Sequence, residues 1–132
     1  MNIYTSYFAN LKNIDKSKYK AIAICLKSPH WFNGSEYQVI APTRKTFHQK
    51  NDEDYITSFN NQLKLLNPET VINDLKRVST DKDIVLLCYE KPSDFCHRHL
   101  VANWLNKELD LNIKELQSNF KVKRKDETIS LF

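Results

Sequence analysis

The 132-residue chain has a net charge of +4, with 41% hydrophobic and 27% charged residues, the ordinary range for one globular domain that hides roughly two-thirds of its unfolded surface. Gly34 is its one glycine. This excludes Walker-type phosphate loops and dinucleotide turns, which need several glycines for close backbone approach or positive φ.

The three cysteines are odd in number and irregularly spaced, so no disulfide framework is expected. Residues 1–7 lack a signal layout, and no apolar run approaches the ~18 residues of a membrane span. Reduced thiols, a cytoplasmic setting and no membrane partner are the expectation.

In chain order, Ile3–Thr5 reads as a short strand. Ala21–Leu26 is continuously apolar, as strands covered on both faces are. Between Pro42 and Lys50, the basic residues Arg44, Lys45, His48 and Lys50 flank Phe47. Such a segment can hold single-stranded nucleic acid by phosphate contact and stacking, or be a solvated loop. Apolar positions then recur at helical spacing at Tyr55, Ile56, Phe59, Leu63 and Leu66, with Asn51 or Asp52 as cap. Asn67-Pro68 reads as a cap followed by proline at the first helical position. Val71, Ile72, Leu75 and Val78 continue that second helix. Ile84–Cys88 is another apolar strand, and a third helix opens near Ser93 with Val101, Trp104, Leu105 and Leu109 along one side.

Strands alternating with helices give an α/β class: a small, mostly parallel sheet with helices on both faces. Ligands of such sheets collect at the carboxyl ends of the strands. Here those ends are Thr5-Ser6-Tyr7, Ser28-Pro29-His30-Trp31 and Cys88-Tyr89-Glu90, all on one rim. Residues 1–116 form the domain. Residues 117–132 form a basic tail, or a terminal hairpin in which Phe120–Arg124 pairs with the last residues.

Cys96-His97-Arg98 is the most informative triplet. With Ser93 as cap, Cys96 falls in the first helical turn, among unpaired N–H groups carrying about half a positive charge. That field lowers a thiol pKa and favours an anionic ligand. Arg98 shares a face with Val101 or Ala102 and Leu105, and His97 with Val101 and Trp104, so both sit over the core stripe at the strand ends. His99 faces solvent. A candidate site follows, with Cys96 as nucleophile or hydrogen-bond donor and His97 or Glu90 as acid–base. Arg98 binds an anion, and Cys88, Tyr7, Ser6 and His30 complete the rim. The plainer alternative makes Cys88 and Cys25 small buried apolar residues and leaves His97 and Arg98 to pair with carboxylates or carbonyls. Cys88, Cys96, His97 and His30 or His48 are also zinc donors by type. The seven residues between Cys88 and Cys96 match no familiar finger spacing, however, and no metal or other cofactor is assigned.

Ile3-Tyr4-Thr5-Ser6-Tyr7-Phe8-Ala9, together with Leu87-Cys88-Tyr89-Glu90, Cys96-His97-Arg98 and Ala102-Asn103-Trp104-Leu105, resembles a bacterial and phage domain-of-unknown-function family that includes the YeaO proteins. The likeness spans roughly residues 1–110. Its hallmark is a strand ending Leu-Cys-x-Glu followed by Cys-His-Arg on a helix. The resemblance implies an α/β fold and Cys88, Glu90, Cys96, His97 and Arg98 as site residues, with no reaction attached.

The last five residues, Thr128-Ile129-Ser130-Leu131-Phe132, resemble the Gln-Leu-Ser-Leu-Phe peptide that bacterial repair proteins insert into the DNA sliding clamp, with Thr128 in place of glutamine. Ile129, Leu131 and Phe132 would be its anchors. Three classes therefore stand open. One is a binder of, or enzyme on, a nucleotide, nucleobase or other anionic small molecule. Another is a DNA-associated accessory protein brought to the sliding clamp. The third is a metal-binding domain. The first joined to the second is the expectation.

Overall fold

The computed structural model describes residues 1–89 and 96–116. Five strands form one sheet: β1 (Ile3–Tyr7), β2 (Tyr19–Ala23), β3 (Ser35–Glu36), β4 (Asp83–Cys88) and β5 (Lys114–Glu115). Their order is β3-β2-β4-β1-β5, and every pairing is parallel. The helices are α1 (Arg44–Phe47), α2 (Asp52–Lys64), α3 (Pro68–Ser79) and α4 (His97–Leu109), with 3-10 turns at Phe8–Asn13 and Gln38–Ile40.

Parallel strands cannot be joined by tight turns, so each connection must cross a face of the sheet. The long passage from β3 to β4 carries α1, α2 and α3, and α4 carries the chain over β1 to β5. Ile22, Ile24, Ile84 and Leu86 pack against Phe59 and Leu63 of α2, Val71 and Leu75 of α3, and Val101 and Leu105 of α4. Burying each such side chain stabilises by about 1.5–3 kcal/mol. The alternate residues Ala23, Val85 and Leu87 face a second cluster with Phe8 and Ile14. Both faces are thus covered by helical elements, though unequally: α-helices on one, the Phe8–Asn13 3-10 turn on the other. This double cover is why the stretches Ala21–Ile24 and Ile84–Cys88 are apolar without alternation. None of the described helices is long and apolar enough to cross a membrane.

The helix starts follow their sequence signals. Asn51 Oδ1 accepts from Asp54 N at 2.8 Å and Asn67 Oδ1 from Thr70 N at 3.1 Å, with Pro68 opening α3. Other boundaries moved. The strand expected over Ala21–Leu26 runs instead from Tyr19 to Ala23, although Ile24 N still donates to Leu87 O at 3.0 Å. Part of the basic segment forms α1, capped by Thr43 Oγ1. The cap of α4 is Cys96 itself, not Ser93, which lies outside the described residues. So do the basic tail and terminal hairpin expected over 117–132.

With one glycine in the chain, the helix C-termini close on other residues. Thr80 after α3 and Asp110 after α4 both adopt the left-handed conformation, at φ 49° and 53°. A β-branched residue in this region is under steric strain that glycine escapes. Thr80→Gly is therefore expected to raise stability by about 1 kcal/mol, read from urea unfolding. An unchanged or lowered midpoint would mean that the Thr80 Oγ1 bond to Ser79 O outweighs the strain.

Candidate functional site

The register of β1 on β4 sets Tyr7 level with Cys88, so both strands end at one height. α4 begins beside them. Cys96 has extended backbone angles and its side chain makes no capping bond. Its sulfur turns instead to Cys88, and the two are joined as a disulfide. This replaces the expectation of three reduced thiols. Residues eight apart meet because the end of β4 and the start of α4 converge, which spacing alone could not reveal. Cys25 is the free cysteine, and burial pushes its thiol pKa up.

His97 is buried, with its ring edge-to-face on Phe59 at 5.4 Å. Its Nε2 lies 2.6 Å from Ile24 O. A carbonyl only accepts, so Nε2 carries the proton and donates, and Nδ1 keeps its lone pair. That lone pair faces Cys96 Sγ at 3.8 Å. Burial pushes the imidazole pKa down to about 4, against the raising effect of the Ile24 bond and aided by the charge of Arg98. The ring is neutral at physiological pH.

Arg98 is fully buried. Its Nε and Nη2 donate to the two carboxylate oxygens of Glu115, each at 3.1 Å, and Nη1 donates to Cys88 Sγ at 3.1 Å. The Tyr7 ring lies 5.9 Å from the guanidinium carbon, and Thr5 Oγ1 donates to Glu115 Oε1 at 2.6 Å. The guanidinium expected to receive an anion thus faces an internal carboxylate. Nothing in Lys114-Glu115 signalled that this pair would lie beside β1.

Cys88, Cys96 and His97 line a cavity of about 610 Å³, together with Lys27, Phe47, Lys50, Asp52, Tyr55 and Tyr89. Lys50 is where the sequence placed a cation. Arg44 and Lys45, on α1, do not line this cavity, and neither do Ser6, Tyr7 and His30. Ser6 is buried and accepts from Asn10 Nδ2 at 3.0 Å, while His30 is exposed. His99, expected in solvent, is half-buried, and its Nε2 has no partner among the described residues; burial lowers its pKa. Glu90 and the anchors Ile129, Leu131 and Phe132 lie outside the described residues. Lys27, Tyr55 and Tyr89 were missed. Tyr55 reads equally well as part of an apolar helix stripe, Lys27 belongs to no motif, and Tyr89 is only the variable position of Leu-Cys-x-Glu. A second, more open depression of about 630 Å³ beside Phe8, Lys12, Lys16 and Trp31 contains no thiol, imidazole or carboxylate among its lining residues.

Two outcomes check this geometry. Glu115→Ala leaves a buried guanidinium uncompensated and is expected to cost about 3–5 kcal/mol in denaturant unfolding; a loss below about 1 kcal/mol would mean that Glu115 is not the partner holding Arg98. Nitrogen-15 correlation spectra at pH 7 are expected to show His97 protonated on Nε2 only, and a proton on Nδ1 would contradict the Ile24 contact.

No curated protein and no solved structure matches the chain. The model of one family does, over residues 9–109, a span that takes in α1 to α4, β4 and the Cys96-His97-Arg98 triplet. The motif-based resemblance to a domain-of-unknown-function family is borne out by that match: the chain belongs to DUF488-N3a, the active DUF488-N3 subclade.

Proposed function

We propose that the protein binds a nucleotide, a nucleobase or a closely related anionic small molecule in the rim cavity, and presents it to Cys88, Cys96 and His97. One observation carries this reading: two sulfurs and an imidazole share a wall with cations and aromatic rings around one hollow. A volume of about 610 Å³ falls in the range of small-molecule sites. Phe47 is 55% exposed although it lies on the cavity wall, and an exposed ring beside a hollow is a stacking surface for a base. Lys27 and Lys50 supply positive charge for a phosphate or carboxylate. Asp52 offers an acceptor for an exocyclic amino group.

The positive end of α4 adds to the attraction. Cys96 is its cap residue and makes no side-chain capping bond, so the first-turn dipole acts toward the cavity wall. Arg98 contributes indirectly. Held by Glu115, it fixes Cys88 through its Nη1 contact rather than meeting the ligand. A cytoplasmic setting, where reductants can reopen the Cys88–Cys96 bond, belongs to the same reading.

The test is calorimetric titration with inorganic phosphate, adenosine and a set of nucleoside monophosphates. A monophosphate is expected to bind saturably and more tightly than phosphate or nucleoside alone. Phe47→Ala and Lys50→Ala, both exposed positions, should each weaken binding about tenfold, or about 1.4 kcal/mol, with thermal stability unchanged. No saturable binding of any probe at millimolar concentration would overturn the reading.

A further inference from the structure

We infer that, in the reduced protein, Cys88 Sγ, Cys96 Sγ and His97 Nδ1 form a binding site for a divalent cation of the zinc class. The three donor atoms lie within 4.8 Å of one another and all three residues are buried. Two thiolates and an imidazole are a soft-to-borderline donor set, which selects zinc over magnesium or calcium.

The surroundings favour a cation over the sulfur pair alone. The disulfide satisfies the two sulfurs but leaves the imidazole without a proton to accept. Nδ1 is the acceptor nitrogen, because Nε2 is committed to Ile24 O. Its neighbour among the described residues is Cys96 Sγ, which carries no hydrogen once bonded to Cys88. Reduction gives Cys96 a hydrogen to share with that lone pair, and a metal ion among the three atoms takes its place as the partner, with the lone pair as a ligand.

The outer contacts are those of a metal site as well. Histidine ligands characteristically donate their second ring nitrogen to a carbonyl or carboxylate, which fixes the tautomer. Ile24 O does this for His97. The Arg98 Nη1–H on Cys88 Sγ stabilises a thiolate at that position. Glu115 in turn neutralises Arg98, so its charge does not stand alone against the cation.

Three protein ligands leave one position of a tetrahedral ion open, the pattern of catalytic rather than structural zinc. All three residues line the rim cavity, so the open position is available to water or to a group of the bound molecule. The inference goes beyond the ligand reading and does not depend on which molecule enters. Reduction of the Cys88–Cys96 bond by a dithiol, itself closed to a disulfide, restores two thiols. Binding of the cation then releases their two protons.

Protein prepared with a non-chelating reductant and zinc, then desalted, provides the test. Atomic emission is expected to find about one zinc per chain. Cobalt in its place should give a sulfur-to-cobalt charge-transfer band in the near ultraviolet. Cys88→Ser and Cys96→Ser should each lose the metal, and Cys25→Ser should keep it. After chelation and denaturation without further reductant, all three cysteines should titrate as thiols, whereas a persisting disulfide leaves Cys25 alone. Absence of zinc from the reduced wild type, a cobalt spectrum without the sulfur band, or metal retained in both serine variants would each overturn the site. Because the metal is measured with no nucleotide present, failure of nucleotide binding leaves this result untouched.

Discussion

The guanidinium of Arg98 is the interaction on which the rest of the site depends. It is buried completely, and an unpaired buried charge would be intolerable. The fold meets that demand from three directions at once: the carboxylate of Glu115 on edge strand β5, the sulfur of Cys88 at the end of β4, and the Tyr7 ring at the end of β1. One side chain thereby sets the height of α4 over the sheet and the position of two strand ends. β5 is only two residues long and pairs with β1 at Tyr4 and Thr5. The Arg98–Glu115 pair and the Thr5 hydroxyl on Glu115 give so short a strand a reason to stay in place.

This arrangement divides the labour within the triplet. Cys96 and His97 line the cavity, while Arg98, one residue further on, reaches down to Glu115 and Cys88. Successive helical residues point about 100° apart, so adjacent residues at a helix start serve different partners. Cys96, as cap, is free of helical geometry and its sulfur can meet β4. His97 turns to the residue that follows β2, where Ile24 O fixes its proton.

Much of the frame was legible in the residues. The apolar runs at β2 and β4, the Asn51 and Asn67 caps and the helical spacing of Phe59, Leu63, Val71 and Leu75 each express a local preference that packing reinforces. The site residues Cys88, Cys96, His97 and Lys50 could also be picked out by type and position. What stayed hidden was the outcome of long-range contact. Ser35–Glu36 and Lys114–Glu115 are polar pairs whose strand state comes from a neighbour, not from their own pattern. The meeting of Cys88 with Cys96, and the commitment of Arg98 to Glu115 instead of a ligand, depend on distances that no periodicity encodes. His99 sits half-buried for the same reason: α4 is covered on more sides than its stripe of Val101 and Leu105 implied.

The scarcity of glycine bears on the denatured chain as well as the native one. Every residue other than glycine samples a narrower range of backbone angles when unfolded, so a chain with Gly34 alone has less disorder to surrender as it folds. Gly34 is retained for room and not for torsional freedom. A methyl group there would meet the Phe32 ring at 2.5 Å, and that ring packs edge-on against Phe8 at 5.3 Å. The loop leading into β3 is therefore shaped by one missing carbon atom. Through Phe8, that vacancy reaches the apolar layer behind Val85 and Leu87, on the face of the sheet opposite α4.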